Sequence, residues 1–288
     1  MEKLIFINSR GQSIELGNSA PFLLAKIEGL GFPKTSILSS KAPGQDGKSY
    51  QGIFFEERIV PITGAIFGNS VEDMLTKRHE LCSFLNPKIP GKLVYINDSR
   101  RYEINYIVED LSFKDKVSEL QDFLLQLYCP DPFWTDLTES KEEVALWVGN
   151  FGFDLEIPTD GIEMGHRESN LIVNILNKGD VECGMRIEFA ALSTVVNPSL
   201  FDVYTRKYLK IKRTLNAGDK LVVNTSFSNK RVEMMKSNGT VTNVFNYIDL
   251  QSEFLQLNVG DNLLRYDAEQ GIDNLEVAIY HKPLYLGV

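Results

Sequence analysis

Apolar and polar positions alternate through most of this chain, and helical spacing occurs in one place. Residues 4–8 read as a first strand, 9–12 as a tight turn and 13–16 as the returning arm of a hairpin. Residues 21–27, with Phe22, Leu23, Leu24 and Ile27, are apolar and extended. The stretch 59–67 is β-branched and apolar, a strand buried on at least one face. A helix is predicted over 70–85. Asn69 or Ser70 caps it, and Glu72 and Asp73 sit in the first turn, where they suit the dipole. Val71, Met74, Leu75, Leu81, Cys82 and Leu85 form one stripe, and Asn86-Pro87 ends the helix. Residues 92–96 and 101–108 flank a short Asn-Asp turn as a hairpin, 111–116 continue the sheet, and 120–129 alternate as a strand with one solvated face.

Between these elements, Gly29-Leu30-Gly31-Phe32-Pro33 is a turn and not a phosphate loop, because no helix and no Lys-Ser/Thr follow it. Residues 39–48 are polar, rich in Gly and Pro, and exposed, and they lead into the apolar run 53–55. Near mid-chain, Tyr128-Cys129-Pro130-Asp131-Pro132-Phe133-Trp134 cannot be helix or central strand, since each proline lacks the N–H and constrains its neighbour. Its large aromatic side chains call for burial, so it reads as a rigid joint. Phe133 and Trp134 are expected between two domains or in the second domain's core. Beyond it, strands are expected at 144–148, 153–157, 170–176, 183–190, 201–213, 221–225, 231–236, 253–257, 263–266 and 275–281, with Asn238-Gly239 the strongest hairpin turn. Short strands at such spacing indicate a β-sandwich of jelly-roll type. The fold class is therefore mainly β: an N-terminal β module over 1–134 carrying one packed helix and a β-hairpin, and a C-terminal jelly-roll β-sandwich over 135–288.

A length of 288 residues fits two domains, and 43% hydrophobic with 24% charged residues is ordinary for a folded protein. The net charge of −9 argues against a general nucleic-acid binder but tolerates DNA passing without being gripped. Cys82, Cys129 and Cys183 form no CxxC pair, which argues for buried or partly buried thiols in a reducing compartment and against a zinc site or disulfide framework. The first residues are too short an apolar run for a signal peptide, and nothing approaches a membrane span, so a soluble product kept in a cytoplasm is expected.

No catalytic motif is present. His79, His166 and His281 are far apart, and His79 lies off the apolar helix stripe, as a surface histidine would. The carboxylate pairs Glu142/Glu143, Asp154/Glu156 and Glu182/Glu188 lack aromatic platforms for a sugar and read as solvated strand faces. His166, Arg167 and Asn170 could bind a glycan without hydrolysis, but no tryptophan is close in sequence. In the basic run 206–213, alternation sets Lys210 and Lys212 against Leu209 and Ile211, as on an outer strand face guarded by lysines. No catalytic, cofactor or metal residue is assigned, and no enzyme activity is expected.

The order and spacing of these features resemble the distal tail protein family of siphophages and prophages. In the C-terminal third the matching residues are Gly218-Asp219 with 221–225, then 232–235, Asn238-Gly239, 252–257, Gly260-Asp261-Asn262 and the terminal Tyr285-Leu286-Gly287-Val288. The 129–134 joint, Pro43-Gly44-Gln45-Asp46-Gly47, the 59–67 strand and the 70–85 helix fit the same order. The resemblance implies a structural protein of the virion tail tip, assembled in the host bacterial cytoplasm. It implies a hexameric ring, built by the N-terminal domain around the DNA channel. A galectin-like C-terminal domain would face outward and anchor receptor-binding proteins. The implied partners are further copies of the chain, the tail tube protein, the tail-associated lysin or fibre protein and receptor-binding proteins. DNA would be cargo only, and there would be no cofactor and no membrane insertion. A carbohydrate-binding adhesion module acting through the jelly roll is the alternative.

Overall fold

The computed structural model describes residues 2–98, 100–144, 146–149, 165–168 and 172–288, with the backbone alone for 146–149, 165–168 and 228. The strand expected at 153–157, the Asp154/Glu156 pair and Asn170 lie outside the described residues. The chain divides into two units: 1–137 together with 284–288, and 138–283.

The first unit is a barrel. Its strands in chain order are β1 (Glu2–Asn8), β2 (Ser13–Leu16), β3 (Phe22–Ile27), β4 (Thr35–Ser40), β5 (Ser49–Phe55), β6 (Arg58–Phe67), β7 (Gly91–Asn97), β8 (Arg100–Val117), β9 (Leu120–Cys129) and β10 (Trp134–Asp136), with helix α1 (Val71–Phe84) after β6. Antiparallel pairing runs β2-β1-β7-β8-β9-β6-β3. A parallel bridge, Gly17 to Leu23, returns the path from β3 to β2: Gly17 N–H donates to the Phe22 carbonyl and Leu24 N–H to the Gly17 carbonyl. Closure removes the exposed sheet edge. β8 serves both halves, pairing β7 early and β9 late, and shifts register after Val108 and after Phe113. Such bulges bend a long strand around a barrel. Inward positions alternate along β6 (Val60, Ile62, Ile66) and β9 (Phe123, Leu125, Leu127), and all six are fully buried.

Helix α1 packs on this barrel. Ser70 is the cap: its Oγ accepts from Asp73 N–H, while Asn69 N–H donates to the Asp73 carboxylate. Lys77, 2.7 Å away, together with that amide holds the Asp73 carboxyl below the usual range. Gly68 has no room for a side chain, since a Cβ there would lie 2.5 Å from the Met74 nitrogen. The buried side chains are Met74, Leu81 and Phe84, followed by Leu85. The expected stripe was too broad: Val71, Leu75 and Cys82 are exposed. At 100° per residue the stripe spans about 120° of the helix circumference, and the barrel covers only part of it.

The second unit has thirteen strands among its described residues: β11 (Ser140–Glu143), β12 (Leu146–Gly149), β13 (Gly165–Glu168), β14 (Ile172–Asn177), β15 (Met185–Ala191), β16 (Val195–Asp202), β17 (Tyr208–Lys210), β18 (Thr214–Leu215), β19 (Lys220–Asn224), β20 (Arg231–Met235), β21 (Val241–Asn243), β22 (Gly260–Gln270) and β23 (Leu275–His281). One sheet runs β11-β23-β15-β19-β20-β21, a second β14-β22-β16-β17 with β18 also on β16, and β12 pairs β13. Each large sheet buries one alternating face, Ile187, Phe189, Val223 and Ile279 in the first and Ile175, Leu200, Leu209 and Leu264 in the second, as a sandwich requires. Two strand expectations change. The run 201–213 is broken after Asp202, whose carboxylate accepts the N–H groups of Tyr204 and Thr205 and turns the chain. The run 253–257 forms no ladder; it keeps a single bridge, Leu257 to Cys183, although Leu255 and Leu257 are buried.

The last strand, β24 (Leu284–Tyr285), belongs to the first unit, pairing β10 as Trp134 with Tyr285 and Thr135 with Leu284. The expected division at 134/135 thus moves to 137/138, and the terminal five residues change sides. The reason is Arg58. Its side chain is 2% exposed and meets no carboxylate among the described residues; it donates to the carbonyls of Pro132, Gly29, Gly31 and Leu286 at 2.5–2.8 Å. Burial lowers its pKa, but a guanidinium stays charged. Gly29 takes φ +80° where a Cβ would lie 2.5 Å from the Ile59 carbonyl. Trp134 is fully buried in the first unit's core beside Tyr95 and Arg58, not in the second unit, because β10 pairs β8 and β24. Phe133 is half-buried, edge-on to Phe55 at 5.6 Å.

Arg58→Leu leaves four carbonyls without their donor, and we expect it to cost about 3–5 kcal/mol. Chemical denaturation followed by hydrogen exchange should show the loss confined to amides of the first unit. A loss below about 1 kcal/mol would mean that water replaces the guanidinium without penalty.

Candidate functional site

The described carboxylates and thiols weighed for chemistry are exposed, paired or protonated. Glu142 and Glu143 lie on the exposed strand β11, where Glu143 pairs with Lys141, and Glu182 is exposed. Glu188 is held between Arg186 and, at 3.0 Å, Lys220. Burial pushes the Cys129 and Cys183 thiols up to about 12, so neither is a thiolate at neutral pH. Among the described residues no three His, Cys, Asp or Glu side chains stand close enough to share a metal, and no helix is long and apolar enough to cross a membrane.

His79 is exposed on α1. The β12–β13 register sets Trp147 opposite Arg167 and Val148 opposite His166, so a tryptophan is a backbone neighbour of that pair after all, at a sequence separation too large to read as local. In the basic run, Leu209 and Ile211 are buried, and Lys207, Lys210 and Lys212 each face a carboxylate, Glu253, Glu269 and Asp249, at 2.5–2.8 Å. The lysines of the run are thus neutralised, while Arg213 has no carboxylate partner among the described residues.

What remains is apolar surface. β4 and β5 pair only with each other and form a two-stranded arm outside the barrel. Its root is fixed by Glu56 N–H on the Lys34 carbonyl, the Lys34–Glu56 ion pair and the Phe55–Phe133 contact. Neighbouring residues point to opposite faces of a strand. Yet Ile37 (63%) and Leu38 are both exposed, as are Ile53 and Phe54 (64%). The arm therefore shows hydrophobic side chains to water on both faces. An isolated hairpin of this size is marginal in water, and contiguous exposed apolar surface marks an interaction site. The apolar run 53–55 is thus exposed on the arm. In the apolar stretch 21–27, by contrast, Phe22 is buried in the barrel.

Two further apolar features lie on the first unit. At one end of the barrel, Phe67 and Val117 both pair with Leu120, and all three are exposed, as are Val71 and Leu75 at the start of α1. Elsewhere Ile7, Gly91, Tyr106, Ile107 and Pro130 line an apolar groove of about 530 Å³.

The family described as "Phage tail protein RIFT-related domain" matches residues 9–129, and the "Siphovirus-type tail component, C-terminal domain" matches residues 178–285. The chain belongs to the siphophage distal tail protein family. Among solved structures it is similar to the Dit protein of phage SPP1, described as a paradigm of the hub adsorption apparatus in phages infecting Gram-positive bacteria, at TM-score 0.70 and 15% identity over 98% of both chains. It is also similar to chains of the phage P2 baseplate in its activated conformation with Ca and with Sr, each at TM-score 0.58 and 10% identity over 98% of both chains. No curated protein matches the sequence. The distal tail protein is thus a mainly β structural component of the phage tail and baseplate hub.

One titratable group of this distal tail protein couples folding to pH. His281 is 4% exposed, donates to the Leu176 carbonyl and leaves Nδ1 without a partner; burial lowers its pKa. A depressed folded pKa gives stability that is full above the ordinary imidazole value and is lost as the pH falls through the folded one. The second unit should therefore melt at lower temperature in mild acid than at neutrality, and His281→Gln should flatten that dependence. Calorimetry across this range would show an unchanged slope if His281 played no part.

Proposed function

We propose that six copies of this chain close into a ring at the tail tip, joining the tail tube to the tip proteins, and that the ring forms through the first unit. The β4–β5 arm carries the reading. A ring needs a heterologous interface, with different patches on the two sides of each subunit. The arm supplies one apolar patch, and the groove at Ile7 and Tyr106 supplies an acceptor of different shape. Burying a side chain such as Phe54 or Ile53 contributes about 1.5–3 kcal/mol, so a few of them on each arm suffice to hold neighbours together.

The second unit then anchors receptor-binding proteins, and the tail-associated lysin or fibre protein stacks on the ring. DNA is cargo, consistent with a chain of net charge −9 that has no excess of cations to grip phosphate. Assembly takes place in the host cytoplasm, without membrane insertion and without catalysis.

Sedimentation velocity tests the arm directly. The chain should sediment as a hexamer at high concentration, and Ile53→Ser with Phe54→Ser should convert it to monomer while the unfolding temperature stays unchanged. If the doubly substituted chain keeps the mass of the parent, the arm is not the contact.

A further inference from the structure

We propose that a polar, cationic cleft in the second unit binds an acidic saccharide. The cleft lies between the β18–β19 and β20–β21 turns and is bounded by the start of β16. It encloses about 590 Å³, inside the roughly 300–1,000 Å³ range of small-molecule sites. Its walls are held by Asp219, which is 5% exposed and accepts Asn216 N–H at 3.0 Å from one turn and Ser237 N–H at 3.2 Å from the other. The third side is tied in by Asn197 N–H on the Arg213 carbonyl. Asp219 is the one carboxylate in the lining, and both of these bonds turn it inward to the frame.

The cations decide the ligand's charge. This chain is acidic, and Lys207, Lys210, Lys212 and Lys220 of the same unit each face a carboxylate. Arg213 and Lys236, both lining the cleft, are in no ion pair among the described residues. Arg213 instead lies over the half-exposed ring of Tyr247, 4.6 Å from its centroid, which fixes the guanidinium without neutralising it. An unneutralised Arg and Lys converging on one cleft favour an anion.

The rest of the lining decides its body. Asn197, Asn216, Ser237 and Asn238 offer amides and a hydroxyl, groups that donate and accept at once, as sugar hydroxyls do. Asn238 is anchored through its oxygen, which accepts Thr240 N–H at 3.0 Å. Its NH₂ is left for a ligand. Met234 is the only large apolar residue in the lining, which disfavours a hydrophobic guest. A hydroxyl-rich molecule carrying carboxylate or phosphate satisfies both conditions. This site is independent of ring formation and lies on different residues from the arm.

The test is calorimetric titration of the full chain with tetragalacturonate, maltotetraose, inorganic phosphate and hexaglutamate. Tetragalacturonate should bind saturably, more weakly as salt is raised, and maltotetraose should bind at least about tenfold less well. Arg213→Ala and Lys236→Ala should each weaken binding about tenfold, and Asn238→Ala measurably, with unchanged melting temperatures. Lys207→Ala, whose lysine is already paired, should leave it unchanged. Binding of inorganic phosphate or hexaglutamate as tight as that of tetragalacturonate would overturn the saccharide assignment, as would equal binding of maltotetraose. Absence of any saturable binding, or variants that bind like the parent, would overturn the site.

Discussion

One buried guanidinium organises the first unit. Arg58 stands at the start of β6 and has no counter-ion among the described residues; four backbone carbonyls share its charge. Those carbonyls come from the turn at 29–31, the proline joint at 132 and the C-terminal segment at 286. A buried charge without partners would be far too costly to keep, so these three distant pieces of chain are held to the geometry that satisfies it. Trp134 and Tyr285 fall into place as a consequence: one fills the core and the other pairs with it across β10 and β24. The chain consequently crosses between its two units twice, and the second unit is an insertion whose ends are paired, Ser140 opposite His281.

Much of this architecture is legible in the residues, and the exceptions follow a rule. Elements whose signals are local came through: the Ser70 cap of α1, the Asn238-Gly239 turn, and the alternation of β6, β9, β15 and β23. What failed depends on partners far along the chain. Trp134 looks the same whether it fills one core or another, and only pairing with β8 and β24 decides. The pattern of 253–257 is that of a strand, but its backbone meets neighbours only at single points, Leu257 with Cys183 and Glu253 with Tyr208, and no ladder forms. β4 carries Ile37 and Leu38 side by side, so period-two alternation is absent and its strand was hidden. Of the candidate surfaces, the apolar run 53–55 stood out in the sequence. The cleft did not, because Asn197, Arg213, Asp219 and Lys236 are brought together only by the sandwich.

The two kinds of surface divide along the two units in a way that fits a tail component. The barrel path closes on itself through Gly17 and Leu23, and exposed apolar residues of the first unit sit on the β4–β5 arm and at the barrel end. Association by such a lever joins unlike patches and can continue from copy to copy until it closes. In the second unit Lys207, Lys210, Lys212 and Lys220 each face a carboxylate, which leaves a largely polar surface suited to specific recognition.

Single-particle imaging of the purified full chain tests the central claim most directly. The account predicts closed rings of six in which each β4–β5 arm lies against the barrel of the next copy. Rings in which every arm folds back on its own barrel, or fields of single particles at concentrations where the chain remains folded, would contradict it.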